Sequence, residues 1–155
     1  MTNANVNSPA RAALDAVRGC ADTMDAQAAG LLQALPAVPM ADDLRASVLG
    51  LLAGLQDTSR RVTFELALLQ SQLGDGQADA AAAVQRLSGM EAAMLAPMSA
   101  LADVVDRLES AAERDESHER AFVLVIEAIG VLMQGLERAR SATQALVAGA
   151  VRPSR

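Results

Sequence analysis

Aliphatic residues recur at alternating spacings of three and four through most of this chain, and that pattern leaves few folds open. The first run is Leu14, Val17, Ala21, Met24, Ala28, Leu31 and Leu35. The second is Val48, Leu52, Leu55, Ser59, Val62, Leu66, Leu69 and Leu73, widened by Leu44, Leu51 and Leu68. This spacing gathers apolar side chains on one stripe of a helix; a strand would need alternation by two. Composition agrees with helix. The chain has two Phe, no Tyr and no Trp, whereas strands draw on aromatic and β-branched residues.

The breakers divide the pattern into four helices. Ser8 suits an N-cap and Pro9 the first helical position. Pro36 and Pro39 place a loop after the first helix. Asp42 and Asp43 suit the start of the second, which runs from about Met40 to Leu73. The Gly74–Gly76 turn ends it. The third helix starts near Gln77, and two overlapping stripes fit it. One is Ala83, Leu87, Met90, Met94, Pro97, Leu101, Val104 and Leu108, which leaves Glu91 at the flank and is preferred. The other is Val84, Leu87, Glu91, Met94, Met98, Leu101, Val105 and Leu108. Pro97 should kink this helix.

A turn is expected near residues 113–117, with Ser117 as an N-cap. A single rod through it would put Asp115 and either His118 or Glu119 on the apolar seam. The last helix then covers about 118–150, on a seam of Phe122, Val125, Ile129, Leu132, Leu136, Ala139, Thr143, Leu146 and Ala150. The expected fold is all-α: an antiparallel up-down-up-down four-helix bundle, with the third helix kinked at Pro97. Residues 8–150 form the single domain, residues 1–7 a disordered arm and 151–155 a disordered tail.

Length and charge narrow the function. One domain is natural at 155 residues. The net charge of −6, with no sizeable basic surface and no stacking aromatics, argues against nucleic-acid binding. Every basic residue is Arg, which reads as the coding bias of a GC-rich bacterial genome. One cysteine, Cys20, makes no internal disulfide, so a reducing cytoplasm is expected. The first residues lack the order of a secretory signal. Some bacterial proteins exported without cleavage also begin with such Ser/Thr/Asn-rich arms, so export stays open.

The greasiest run is residues 121–136, with Glu127 its one charge. Sixteen residues are too few to span a bilayer core, which needs about 20. Arg120, Glu127, Gln134 and Ser141 repeat every seven residues, so Glu127 marks the solvent side. Ile126 and Met133 border the seam; Val123, Leu124 and Val131 lie further round. The apolar arc is wider than a bundle helix needs. Either this helix is the most buried of the four, or Val123, Leu124, Ile126, Val131 and Met133 meet a protein partner or a second copy in a homodimer.

Chemistry is scarce. A di-iron bundle needs Glu-x-x-His pairs on facing helices; this chain has only His118, with Asp115 three residues before it. One Cys and one His make no zinc site. No phosphate loop or nucleophile motif occurs. Hairpin counting brings Met24, Met98 and Met133 to one level, with Cys20 and Met94 a turn away. That layer reads first as core, and second as a pocket of Cys20, Met24, Met94 and Met98 for an apolar ligand.

The leading expectation is therefore a non-enzymatic helical interaction module without cofactor or metal: an adaptor, assembly factor or secretion-type chaperone. The Ala-rich, Cys-poor, helical composition is also similar to that of phasins, which coat storage granules. That similarity, compositional only, implies as one alternative a coat for an apolar granule or lipid surface. A small apolar-ligand bundle is the other.

Overall fold

The computed structural model describes residues 3–151, and side chains over 9–149. It shows four long helices, α1 (Asn3–Ala34), α2 (Asp42–Gly74), α3 (Ala80–Arg114) and α4 (Glu119–Val151). They form an antiparallel up-down-up-down bundle. α1 packs between α2 and α4, α3 does the same from the opposite corner, and α1 touches α3 across the middle. Helices of 32 to 35 residues make a bundle about 50 Å long. Among the described residues no helix is long and apolar enough to cross a membrane.

α1 begins at Asn3, not at Ser8, and Pro9 lies inside it. This near its start, the proline costs the helix one backbone bond, and the turns on either side persist. All seven residues of the first expected stripe are buried. Beyond Ala34, a short 3-10 turn carries the chain through Pro36. Arg45 closes this end of α1: its guanidinium donates to the Leu35 carbonyl at 2.6 Å and to that of Val38 at 2.8 Å. Carbonyls left over at a helix end gain most from a charged donor.

The α2–α3 turn ends on Gly76, whose φ of +73° is left-handed. Gln77 N–H donates back to Gln72 O at 2.8 Å and Gly76 N–H to Leu73 O at 3.3 Å. This double bond-back is the glycine-ended helix stop that residues 74–76 announce. α3 starts three residues later than expected, because Asp79 is the cap: its carboxylate accepts from Ala82 N–H at 2.9 Å.

α3 runs as one helix through Pro97. Its buried face takes members of both candidate stripes. Glu91 and Met98 are buried, while Pro97 is only half-buried. The core spans both stripes: Met90 and Val104 are buried as the preferred one has them, Glu91 and Met98 enter from the other, and Pro97 is the one position where the preferred stripe is corrected. The α3–α4 turn falls at Asp115, inside the expected 113–117. Asp115, not Ser117, is the cap, accepting from Ser117 N–H at 3.0 Å.

Candidate functional site

α4 keeps its expected seam at Val125, Leu132, Leu136, Ala139, Thr143 and Leu146, which are all buried, and departs from it at Phe122 and Ile129. Its buried residues include Ala121, Val125, Ala128, Leu132, Leu136 and Ala139, while Phe122 and Ile129 are only half-buried. The reason lies in α1. Ala121, Ala128 and Gly135 repeat every seven residues, and α1 presents Cys20, Ala21 and Ala28 as small buried residues. At Gly135 an added Cβ would lie 3.6 Å from Cys20 Cα. Small faces meet backbone to backbone, and the bulky residues of α4 are displaced to its flanks.

The burial of Ala121 and Ala128 in place of Phe122 and Ile129 settles where the wide apolar arc goes. Val123, Ile126, Val131 and Met133 are about 40% exposed each (39, 43, 42 and 42%), and Leu124 is half-buried. Glu127 faces solvent with Arg120, Gln134 and Ser141. The apolar residues do not form one surface, however. Val131 and Met133 are two residues apart, about 200° round the helix. Leu124 and Val131 line a groove with α1. Ile126 and Met133, also seven apart, lie on the α3 side. Val123 points outward between the two lines. The single partner-binding flank expected from sequence is thus two flanks and an outer residue.

The α1–α4 groove has a volume of about 320 Å³. Ala26, Gly30 and Ala34 make the α1 wall, and Leu124, Ala128 and Val131 the α4 wall, with Gln27 and Glu127 as polar neighbours. A third exposed feature lies on α2, and it corrects the expectation that Leu68 widens the buried stripe. Phe64 is 72% exposed and Leu68 44%. The stripe of Val62, Leu66 and Leu69 leaves Phe64 on the far side of its helix, so the signal was present in the spacing.

Cys20, Met24, Met94 and Met98 are buried core residues. Met133, placed at their level by counting, is outside on the surface. Burial pushes the Cys20 thiol up to about 11, and the nearby Glu91 carboxylate adds to the shift. The folded chain therefore keeps this proton where the unfolded chain has lost it. Stability is full below the ordinary thiol value of 9.0 and declines as pH rises from there towards about 11. With no Lys and no Tyr in the chain, few other side chains titrate in that window. Urea unfolding at pH 8 to 11 should show an alkaline loss of stability in the wild type that a Cys20→Ala variant lacks. An identical loss in both would assign it to other groups.

Glu91 is the one buried charged side chain among the described residues. Thr143 Oγ1 donates to its carboxylate across the α3–α4 interface. His118 ties two loops together. Its side chain is 12% exposed, and Nε2 accepts from Ala41 N–H at 3.0 Å, at the start of α2. Nδ1 faces the Asp115 carbonyl at 3.3 Å. The hydrogen bonds from Ser117 to its carboxylate hold Asp115 below its ordinary value, with a smaller effect of His118. The ring thus serves as a clasp for this end of the bundle. Among the described residues no three His, Cys, Asp or Glu side chains are grouped to hold a metal.

Comparison with protein families, with curated proteins and with solved structures finds no significant match.

Proposed function

We propose that this chain is a non-enzymatic helical interaction module of the cytoplasm, an adaptor, assembly factor or secretion-type chaperone, which seats an amphipathic helix of a protein partner between α1 and α4. The observation that carries this reading is the groove itself. Ala26, Gly30 and Ala34 stand at four-residue intervals on α1 and let a partner backbone come close. Leu124 and Val131 rise on the other wall as apolar anchors. Helix-in-groove recognition uses this combination of a flat small-residue bed and a few large contacts.

The test is charge placed on the anchors. Leu124→Glu and Val131→Glu should each keep wild-type helicity by circular dichroism, because neither residue is fully buried. Each should weaken capture of the partner from the source cells at least tenfold, which corresponds to about 1.4 kcal/mol or more. Capture undiminished by both changes would remove this groove as the interface.

One observation favours a second reading, a coat for an apolar granule or lipid surface. Phe64 and Leu68 are exposed on α2, which lies diagonally across the bundle from α4. Phe64 and Leu68, four residues apart on one face of α2, form an exposed apolar patch of the kind that meets such a surface. Purified protein should then partition to triglyceride droplets, and Phe64→Glu should reduce the bound fraction. Complete exclusion from droplets would end this reading.

A further inference from the structure

We propose that a second copy of this chain docks on the α3 side of α4, antiparallel, about a two-fold axis that passes at Met133. Ile126, Met133 and Arg140 follow at seven-residue intervals on that flank, a single line about 21 Å long. Ile126 and Met133 are exposed, and Arg140 is half-buried at the far end. On the neighbouring α3, Glu109 and Glu113 are exposed. The turn at Asp115 and the Glu91–Thr143 contact set the hairpin register, and in it Glu109 comes level with Ile126. The flank therefore has carboxylates at one end and a guanidinium at the other, with Ile126 and Met133 between and Glu137 beside Arg140. Among the described residues Glu109, Glu113 and Arg140 take no part in an ion pair within the chain.

A two-fold axis at Met133 sets that residue against its own copy. It also brings Arg140 of each copy level with Ile126 and Glu109 of the other. Each guanidinium meets a carboxylate, and its alkyl stem covers the isoleucine. A parallel pairing has no such match, because Glu109 and Glu113 would face their own copies. Charge therefore selects the antiparallel arrangement, and an isologous contact closes at two copies. The surface is distinct from the α1–α4 groove, so the two assignments stand or fall separately.

The test is solution mass by light scattering over a dilution series, at low and high salt. The wild type should be a dimer that dissociates on dilution and more readily in salt. Ile126→Glu and Met133→Glu should be folded monomers. Arg140→Glu should weaken the dimer at least tenfold, and Glu109→Arg in the same chain should restore it. In a Cys20→Ala background, Met133→Cys should give a disulfide-linked dimer under mild oxidation by diamide. Val147→Cys, about 21 Å further along α4, should not. A wild type that stays monomeric at every concentration overturns the proposal, as does a dimer unaffected by Ile126→Glu and Met133→Glu. Equal crosslinking at 133 and 147 overturns the antiparallel axis. A monomer that still captures a partner through Leu124 overturns the dimer alone and leaves the groove reading standing.

Discussion

Thr143→Val should destabilise this bundle by about 2 kcal/mol, and Glu91→Met should stabilise it by about 1–2 kcal/mol. The two residues touch each other, yet their removals are expected to have opposite signs. Thr143 Oγ1 lies within bonding distance of the Glu91 carboxylate and, at 3.0 Å, of the Ala139 carbonyl one turn back on its own helix. Its single proton serves one acceptor at a time. Without Glu91 the hydroxyl still has Ala139, so Met at 91 fills the space and orphans nothing. Without the hydroxyl, a buried carboxylate loses its partner from α4, and that costs its desolvation. For a chain of this size these changes are shifts of several degrees in Tm, in opposite directions. Thermal melts of both variants decide the matter. A neutral Thr143→Val with a destabilising Glu91→Met would mean that the carboxylate has a different and better partner.

Gly135 offers the second large effect, and it tests the close approach of α1 and α4. An alanine Cβ there would lie 3.6 Å from Cys20 Cα and 3.7 Å from Cys20 Sγ, ordinary contact distances. Gly135→Ala should therefore stabilise by about 0.5–1 kcal/mol, since glycine in a helix interior loses more chain entropy on folding than alanine does. Gly135→Leu has no room and must push the helices apart. It should cost about 2–3 kcal/mol. Chemical denaturation of the pair reads both. If leucine is tolerated as well as alanine, the two helices are further apart than the small-residue packing requires. The burial of Ala121 and Ala128 ahead of Phe122 and Ile129 would then lose its cause.

The bundle was legible because its long aliphatic side chains recur at helical spacing and its ends carry strong signals. The α1 stripe from Leu14 to Leu35 and the α2 stripe from Val48 to Leu69 are buried as read. Gly76 ends the α2–α3 turn where the glycines put it, and the turn at Asp115 falls inside the charged stretch whose residues could not sit on an apolar seam. The α4 seam was legible at Val125, Leu132, Leu136, Ala139, Thr143 and Leu146, but not at Ala121 and Ala128. Stripe reading gives weight to size, so Phe122 and Ile129 outranked Ala121 and Ala128. Close helix packing reverses that order, because the smallest residues permit the shortest approach. On α3 the difference is of another kind: members of both stripes are buried, and Met98 is buried beside the half-buried Pro97. His118 eluded sequence reasoning for a different reason. Its partner, the Ala41 N–H, lies 77 residues away, and no local pattern reports such a contact.

The candidate surface was half legible. The excess of apolar residues on the last helix could be counted, and the exposure of Val123, Ile126, Val131 and Met133 agrees with that count. Their division into two flanks depends on which way α4 faces, and α1 decides that.

The most direct test of the central claim, that the α1–α4 groove takes a partner, is site-specific photo-crosslinking in the source cells. A photoreactive side chain would be placed at position 124 or 131, and a control at Asp103, which is exposed on α3. Adducts of the same single protein from 124 and 131, with none from 103, are the predicted result. The same adducts from all three positions, or none from 124 and 131, would contradict it.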